Sequence, residues 1–183
     1  MQSGRCDTGS AGKCLVKIEA IVAPEQSEDT NMQARMKHPA LVLPETLQAL
    51  LAVSASIKDL GLSENTIDLV HLRVSQINGC SVCTDMGLRK LQKAGETIER
   101  IVGVSAWREM PYFSEAERAA LALGEAVTRL ADGPDAVSDE IWNEATRHYD
   151  EKALAALIVA ISVDNVWNRL NATIRQPAEA SWS

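Results

Sequence analysis

The chain is poor in aromatic side chains, with one Phe, two Tyr and four Trp in 183 residues. Ala, Leu, Val and Ile carry its apolar content instead, a mix that suits close-packed helices better than a β-sandwich. Positive charge is also short. Eighteen Lys and Arg face 25 Asp and Glu, a formal charge of −7, which argues against nucleic acid or an anionic membrane as partner. No unbroken apolar run reaches the ~18 residues of a spanning helix. Near the N-terminus Lys17 and Glu19 interrupt the only apolar segment, so a signal peptide's apolar stretch is missing. The expected location is therefore the cytoplasm. Four cysteines are too few for a disulfide-stapled mini-domain in a chain this long. There is no GxGxxG or P-loop to cradle a nucleotide, and no internal repeat. What remains is a 46% hydrophobic chain, enough for a real core and of a length for one domain, or one domain plus a tail.

The first 31 residues differ from the rest. MQSGRCDTGSAGK and PEQSEDTN are rich in Gly, Ser, Asp and Thr, the composition of a flexible tail. Between them CLVKIEAIVA places Val16, Ile18 and Val22 on even positions, the pattern of a strand-like or docking segment. The folded domain is expected over 32–183, and there nearly everything has helical period. Pro44 and Glu45 open a helix to about Leu60, closed by Gly61. Ser63 caps a second, to Asn78. A third runs from the Cys80 region to Gly95, and a short fourth from Thr97 to Val104. Ser114 and Glu117 form a capping box for a helix to Ala131. Asp132-Gly133-Pro134-Asp135 is a turn. Ser138 caps a sixth helix and Asp150 a seventh, to about Ile174. The expected fold is an all-α bundle of about seven helices. The last of them is apolar nearly all round from Ala153 to Val163, as a core helix or an oligomer contact is. This predicts a homo-oligomer.

Cys80-Ser81-Val82-Cys83 is the sharpest local signal. Two cysteines three apart at a helix start can close a disulfide within one turn. The free N–H groups and dipole there favour a thiolate, which a redox nucleophile needs. The same spacing also fits two buried, inert cysteines, or half of a zinc site. Zinc would need two more ligands, and Cys6 and Cys14 have the wrong spacing and lie in the tail. Upstream, Ile67, Val70, Val74 and Ile77 form a core stripe. Asp68, His71, Ser75 and Asn78 follow one position later as a polar stripe that ends beside the cysteines. A solvated face is the plain reading of that stripe, and an exposed position the plain reading of His71. His38 and His148 have no comparable setting.

The run DLVHLRVSQINGCSVCTDMGLRK resembles the alkylhydroperoxidase D-like branch of the carboxymuconolactone decarboxylase superfamily. That family's pattern is an acidic residue, eleven residues, Cys, two residues, Cys, three residues, His. Asp68, Cys80 and Cys83 stand at those spacings. The resemblance continues through WREMPYFSEAERAALALGEAVT and IVAISVDNVWNRLNAT and covers about Met36 to Ile174. Two positions depart from it. Asp68 is one methylene shorter than the usual Glu, and Gly87 stands where the family has its His, one helical turn from Cys83. His71 is the histidine that could substitute.

The resemblance implies a helical protomer in a dimer, trimer or hexamer, and thiol-dependent peroxidase or disulfide-reductase chemistry. Its partners would be a peroxide or a partner protein's disulfide, with a thiol reductant of unspecified identity; no organic cofactor is implied. The candidate catalytic residues are Cys80, Cys83, Asp68 and His71, with Asp68 polarising the site through water or His71. The order of attack of the two cysteines is left open. Two rival readings follow from the same residues: a redox-sensing or non-catalytic protein that lost its His at Gly87, and a decarboxylase- or lactonase-type enzyme.

Overall fold

The computed structural model describes residues 32–178. The 1–31 segment, with Cys6, Cys14 and CLVKIEAIVA, lies outside the described residues. Among those described there are eight α-helices and no strands. They are α1 (Pro39–Val42), α2 (Pro44–Ser56), α3 (Glu64–Asn78), α4 (Ser81–Lys93), α5 (Ile98–Gly103), α6 (Glu115–Thr128), α7 (Asp139–His148) and α8 (Glu151–Ile174).

Local chemistry sets most of these boundaries. The Ser63 hydroxyl accepts the Thr66 N–H at 3.0 Å to open α3. The capping box of Ser114 and Glu117 opens α6, and Asp150 accepts the Ala153 N–H at 2.8 Å to open α8. Each such cap satisfies a backbone donor that the helix itself leaves orphaned, and is worth ~1 kcal/mol. Several details differ from expectation, among them the helix opened by Ser114, which ends at Thr128 rather than at Ala131. The first expected helix ends at Ser56 rather than near Leu60, and a short α1 precedes it, started by Pro39 at its first position with His38 as cap.

Helix α3 lies at the centre, packed on α4, α6 and α8. Leu69, Val70, Leu72 and Val74 from α3, Leu121 and Leu123 from α6, and Leu157 and Ile161 from α8 are fully buried against one another. Burial of each such side chain contributes ~1.5–3 kcal/mol. Helix α8 is the core helix. It has the length and apolar composition to cross a bilayer, yet half of that stretch is buried inside this body. The surface left bare is a different one. None of the thirteen residues of α2 is buried, although the helix reads PETLQALLAVSAS, and Leu51 is 55% exposed.

One buried ion cluster ties α3, α6 and the 104–113 segment together. The Glu125 carboxylate accepts from Arg73 at 2.6 Å, from Arg108 at 2.5 Å and from the Trp107 ring N–H at 3.1 Å. Burial pushes the Glu125 pKa up, but these donors lower it further, so the carboxyl sits below its ordinary range.

Candidate active site

The cysteine pair stands where α3 turns into α4. Gly79 closes α3 with φ 65°, a left-handed conformation that costs glycine nothing and other residues ~1 kcal/mol or more. Cys80 is the cap of α4, its sulfur accepting the Cys83 backbone N–H at 3.3 Å. Cys80 and Cys83 are joined in a disulfide with Cα atoms 5.3 Å apart, and both are buried. Among the described residues no three His, Cys, Asp or Glu side chains converge as a metal site requires.

His71 is not the surface residue that its place in a polar stripe suggests. It is 9% exposed, and its ring fills the space that Gly87 leaves on α4. A Cβ at residue 87 would lie 3.1 Å from His71 Cδ2 and 3.4 Å from Leu72 Cα. An imidazole from α3 thus stands beside the α4 position that carries Gly87. Its Nδ1 donates to Asp164 Oδ1 at 2.8 Å and its Nε2 to the Cys83 carbonyl at 3.1 Å. A carboxylate and a carbonyl only accept, so both ring nitrogens carry protons and His71 is an imidazolium. Burial by itself lowers its pKa. The hydrogen bond and charge of Asp164 outweigh that, and the result lies above the ordinary 6.5.

Asp68 does not take the position expected of it. Its carboxylate pairs with Lys90 at 3.3 Å, and the carboxylate on His71 is Asp164. All three border one cavity of ≈610 Å³, walled by Ile57, Ile67 and Val163. Asp164 therefore joins His71 to a solvent-accessible space.

The polar stripe of α3 is mostly buried against a matching stripe on α8. Asn78 donates to Asn165 Oδ1 at 3.0 Å and Asn168 Oδ1 at 2.9 Å, and Asn168 donates to the Ser75 hydroxyl at 3.3 Å. Asn171 donates to Cys83 Sγ at 3.4 Å. Asp164, Asn168 and Asn171 stand at i, i+4 and i+7 on one face of α8, beyond its apolar run from Ala153 to Ile161. That periodicity was the available signal for α8 as a wall of the site. His38 is 3% exposed, with its ring 5.9 Å from that of Trp167 on α8. His148 lies apart, on Glu144.

Known proteins share this fold. The profile of the carboxymuconolactone decarboxylase family matches residues 44–126. The uncharacterized protein YdfG of Bacillus subtilis is 35% identical over 130 residues, 71% of this chain and 87% of that one. A protein of unknown function from Agrobacterium tumefaciens, provisionally an antioxidant defence protein AhpD, superposes with a TM-score of 0.75 at 31% identity. That match covers 81% of this chain and all of the other. The debrominase Bmp8, at 21% identity and a TM-score of 0.63 over 76% of this chain and 74% of its own, shares the fold.

Proposed function

Because this chain belongs to the carboxymuconolactone decarboxylase family, as an alkylhydroperoxidase D-like member, we propose that it is a thiol-dependent peroxidase working through Cys80 and Cys83. The observation that carries this reading is the buried His71 ring, which fills the space beside Gly87 and bonds the Cys83 backbone carbonyl.

Reduced Cys83 attacks as the thiolate. Its sulfur takes the terminal oxygen of ROOH, the O–O bond breaks, and the sulfur becomes a sulfenic acid. The departing alkoxide takes a proton from His71 and leaves as ROH. The Cys80 sulfur then displaces the sulfenic hydroxyl. The proton given up by the Cys80 thiol leaves with that hydroxyl as water, and the S–S bond closes. The peroxide gains two electrons and the two thiols lose them; a dithiol reductant returns them by exchange with the disulfide. Cys80, capping α4, has a backbone N–H to stabilise its own thiolate. Asp164 holds the His71 ring in place and, at the cavity wall, gives it access to protons from solvent.

This favours a catalytic protein over one silenced by the loss of the family's histidine, since the imidazole is supplied from another helix. The direct test titrates the fully reduced protein with hydrogen peroxide. One equivalent of peroxide should be consumed as one Cys80–Cys83 disulfide appears in the peptide mass map. Reduced cysteines that persist through excess peroxide would overturn the reading.

The same proposal includes assembly in the cytoplasm as a homo-oligomer. The contact would draw on α2, none of whose residues is buried, and on the half of the apolar stretch of α8 that the body leaves unburied. Light scattering should return a multiple of the chain mass, reduced by Leu51→Lys. A single-chain mass at micromolar concentration would refute it.

A further inference from the structure

The buried amides between α3 and α8 form one chain, and it passes through Asn78, beside the turn to Cys80. We propose that Asn78 is a positioning residue for the cysteine pair. By pinning the end of α3 to α8 it holds the Cys80 sulfur within reach of Cys83 after reduction, and so favours the disulfide over the dithiol.

Two groups of known polarity decide which way each amide faces. The Asn165 side chain meets the Ile161 carbonyl at 2.9 Å and the Arg169 guanidinium at 2.9 Å. A carbonyl only accepts and a guanidinium only donates, so the Asn165 nitrogen faces the first and its oxygen the second. That oxygen lies 3.0 Å from the Asn78 side chain, which must therefore present its N–H₂. The same N–H₂ lies 2.9 Å from Asn168, which must present its oxygen. The Asn168 nitrogen is left to donate to the Ser75 hydroxyl at 3.3 Å. Asn168 and Ser75 are fully buried and Asn165 is 7% exposed, so water has little access to these bonds.

The pinned end of α3 is the turn that carries Cys80. The Gly79 N–H bonds the Gln76 carbonyl at 3.3 Å and the Cys80 N–H bonds the Ser75 carbonyl at 3.1 Å. The backbone from Ser75 to Cys80 therefore moves with Asn78. In the oxidised chain the S–S bond itself keeps Cys80 beside Cys83. After reduction the turn is held by non-covalent contacts alone, and Asn78 supplies two of the hydrogen bonds that tie it to α8. A turn already held in place loses less freedom when the S–S bond closes, so the pin tips the equilibrium toward the disulfide. That equilibrium lies between two folded states, and a loss of overall stability shared by both cancels from it.

The inference rests on the redox role proposed above for the pair, but its test needs no peroxide. The full-length chain is equilibrated in mixtures of reduced and oxidised glutathione. Two glutathione thiols are oxidised to glutathione disulfide as the Cys80–Cys83 bond breaks, and their two protons pass to the protein dithiol. After acid quenching and alkylation, peptide mass mapping gives the fraction of the pair in each state and separates it from Cys6 and Cys14. Asn78→Ala should shift the equilibrium constant ~10-fold toward the dithiol, which is ~30 mV for a two-electron couple. Asn165→Leu keeps the side-chain volume and the bond to Asn168 but removes one acceptor, and should shift it ~3-fold. Ile101→Val, in the core on α5 and away from the amides, should lower the melting temperature and leave the constant within about twofold of the natural chain. An unshifted constant in Asn78→Ala, a shift toward the disulfide, or an equal shift in Ile101→Val overturns the inference. If circular dichroism shows that Asn78→Ala does not fold, Asn165→Leu carries the test on the same terms. A shifted constant with no peroxide consumption by the natural chain would leave this inference standing and overturn the peroxidase reading. Peroxide consumption with an unshifted constant would do the reverse.

Discussion

Replacing Cys83 by serine is expected to abolish peroxide consumption, while Cys80→Ser should still react once and then stop. The two cysteines have different surroundings, and the asymmetry follows from them. Cys83 receives the Asn171 amide at its sulfur, and His71 is bonded to its own carbonyl. Cys80 has one backbone N–H. The sulfur with more stabilisation of negative charge is the thiolate at neutral pH, and thiolates react with peroxides where thiols do not. In Cys80→Ser the sulfenic acid at Cys83 has no neighbour to resolve it, so it persists and a sulfenate-trapping reagent should label it. In Cys83→Ser no label should form at Cys80 on the same timescale. The reverse labelling pattern would reassign the attacking sulfur to Cys80.

Removal of the His71 imidazole should be the next most damaging change. His71→Ala is expected to lower peroxide turnover by ~10²–10⁴-fold, the usual worth of a positioned proton donor. Supplying a histidine at the family's position does not add to the natural chain. In Gly87→His even the Cβ would lie 3.1 Å from His71 Cδ2, so the new ring competes for occupied space. Overpacking of this kind costs ~1–3 kcal/mol, and a thermal melt should show it with no gain in rate. With the two changes combined, His71→Ala frees the space and Gly87→His refills it from α4. Turnover should then recover much of the loss. Recovery failing in a well-folded double variant, or a faster Gly87→His single variant, would mean that the imidazole does not act from this volume.

The pH dependence carries a defined sign. The folded pKa of His71 is raised above 6.5 by Asp164, net of burial. The stabilisation from this pair is fully present below about 6.5 and is lost as pH rises through the higher folded value. Catalysis that uses the imidazolium falls over the same alkaline limb. Asp164→Asn removes the charge that raises the pKa, so the limb should move to lower pH.

Much of the fold was legible in the sequence because helix ends are local. Ser63, Ser114 with Glu117, Ser138 and Asp150 each bond a backbone N–H within three residues. The Cys80–Cys83 pairing is local for the same reason, closing within one turn. The polar stripe Asp68, His71, Ser75, Asn78 was visible too, since a period of 3.6 puts those residues on one face. Which surface that face meets is not a local property. Whether the stripe is solvated or buried depends on α8, and His71 finds Asp164 across 93 positions of chain. Sequence spacing pointed to Asp68 as the carboxylate for His71 because the two are neighbours on α3; packing gave Asp68 to Lys90 and placed Asp164 closer. Gly87 read as a missing catalytic group, and in the folded chain it is the gap that the His71 ring of α3 occupies. His38 and Trp167 of α8, far apart along the chain, meet ring to ring only in the folded protein. Periodicity and capping determine which residues form a face, while burial, charge pairing and the volume left by a glycine decide between faces, and those exist only once the helices are packed together.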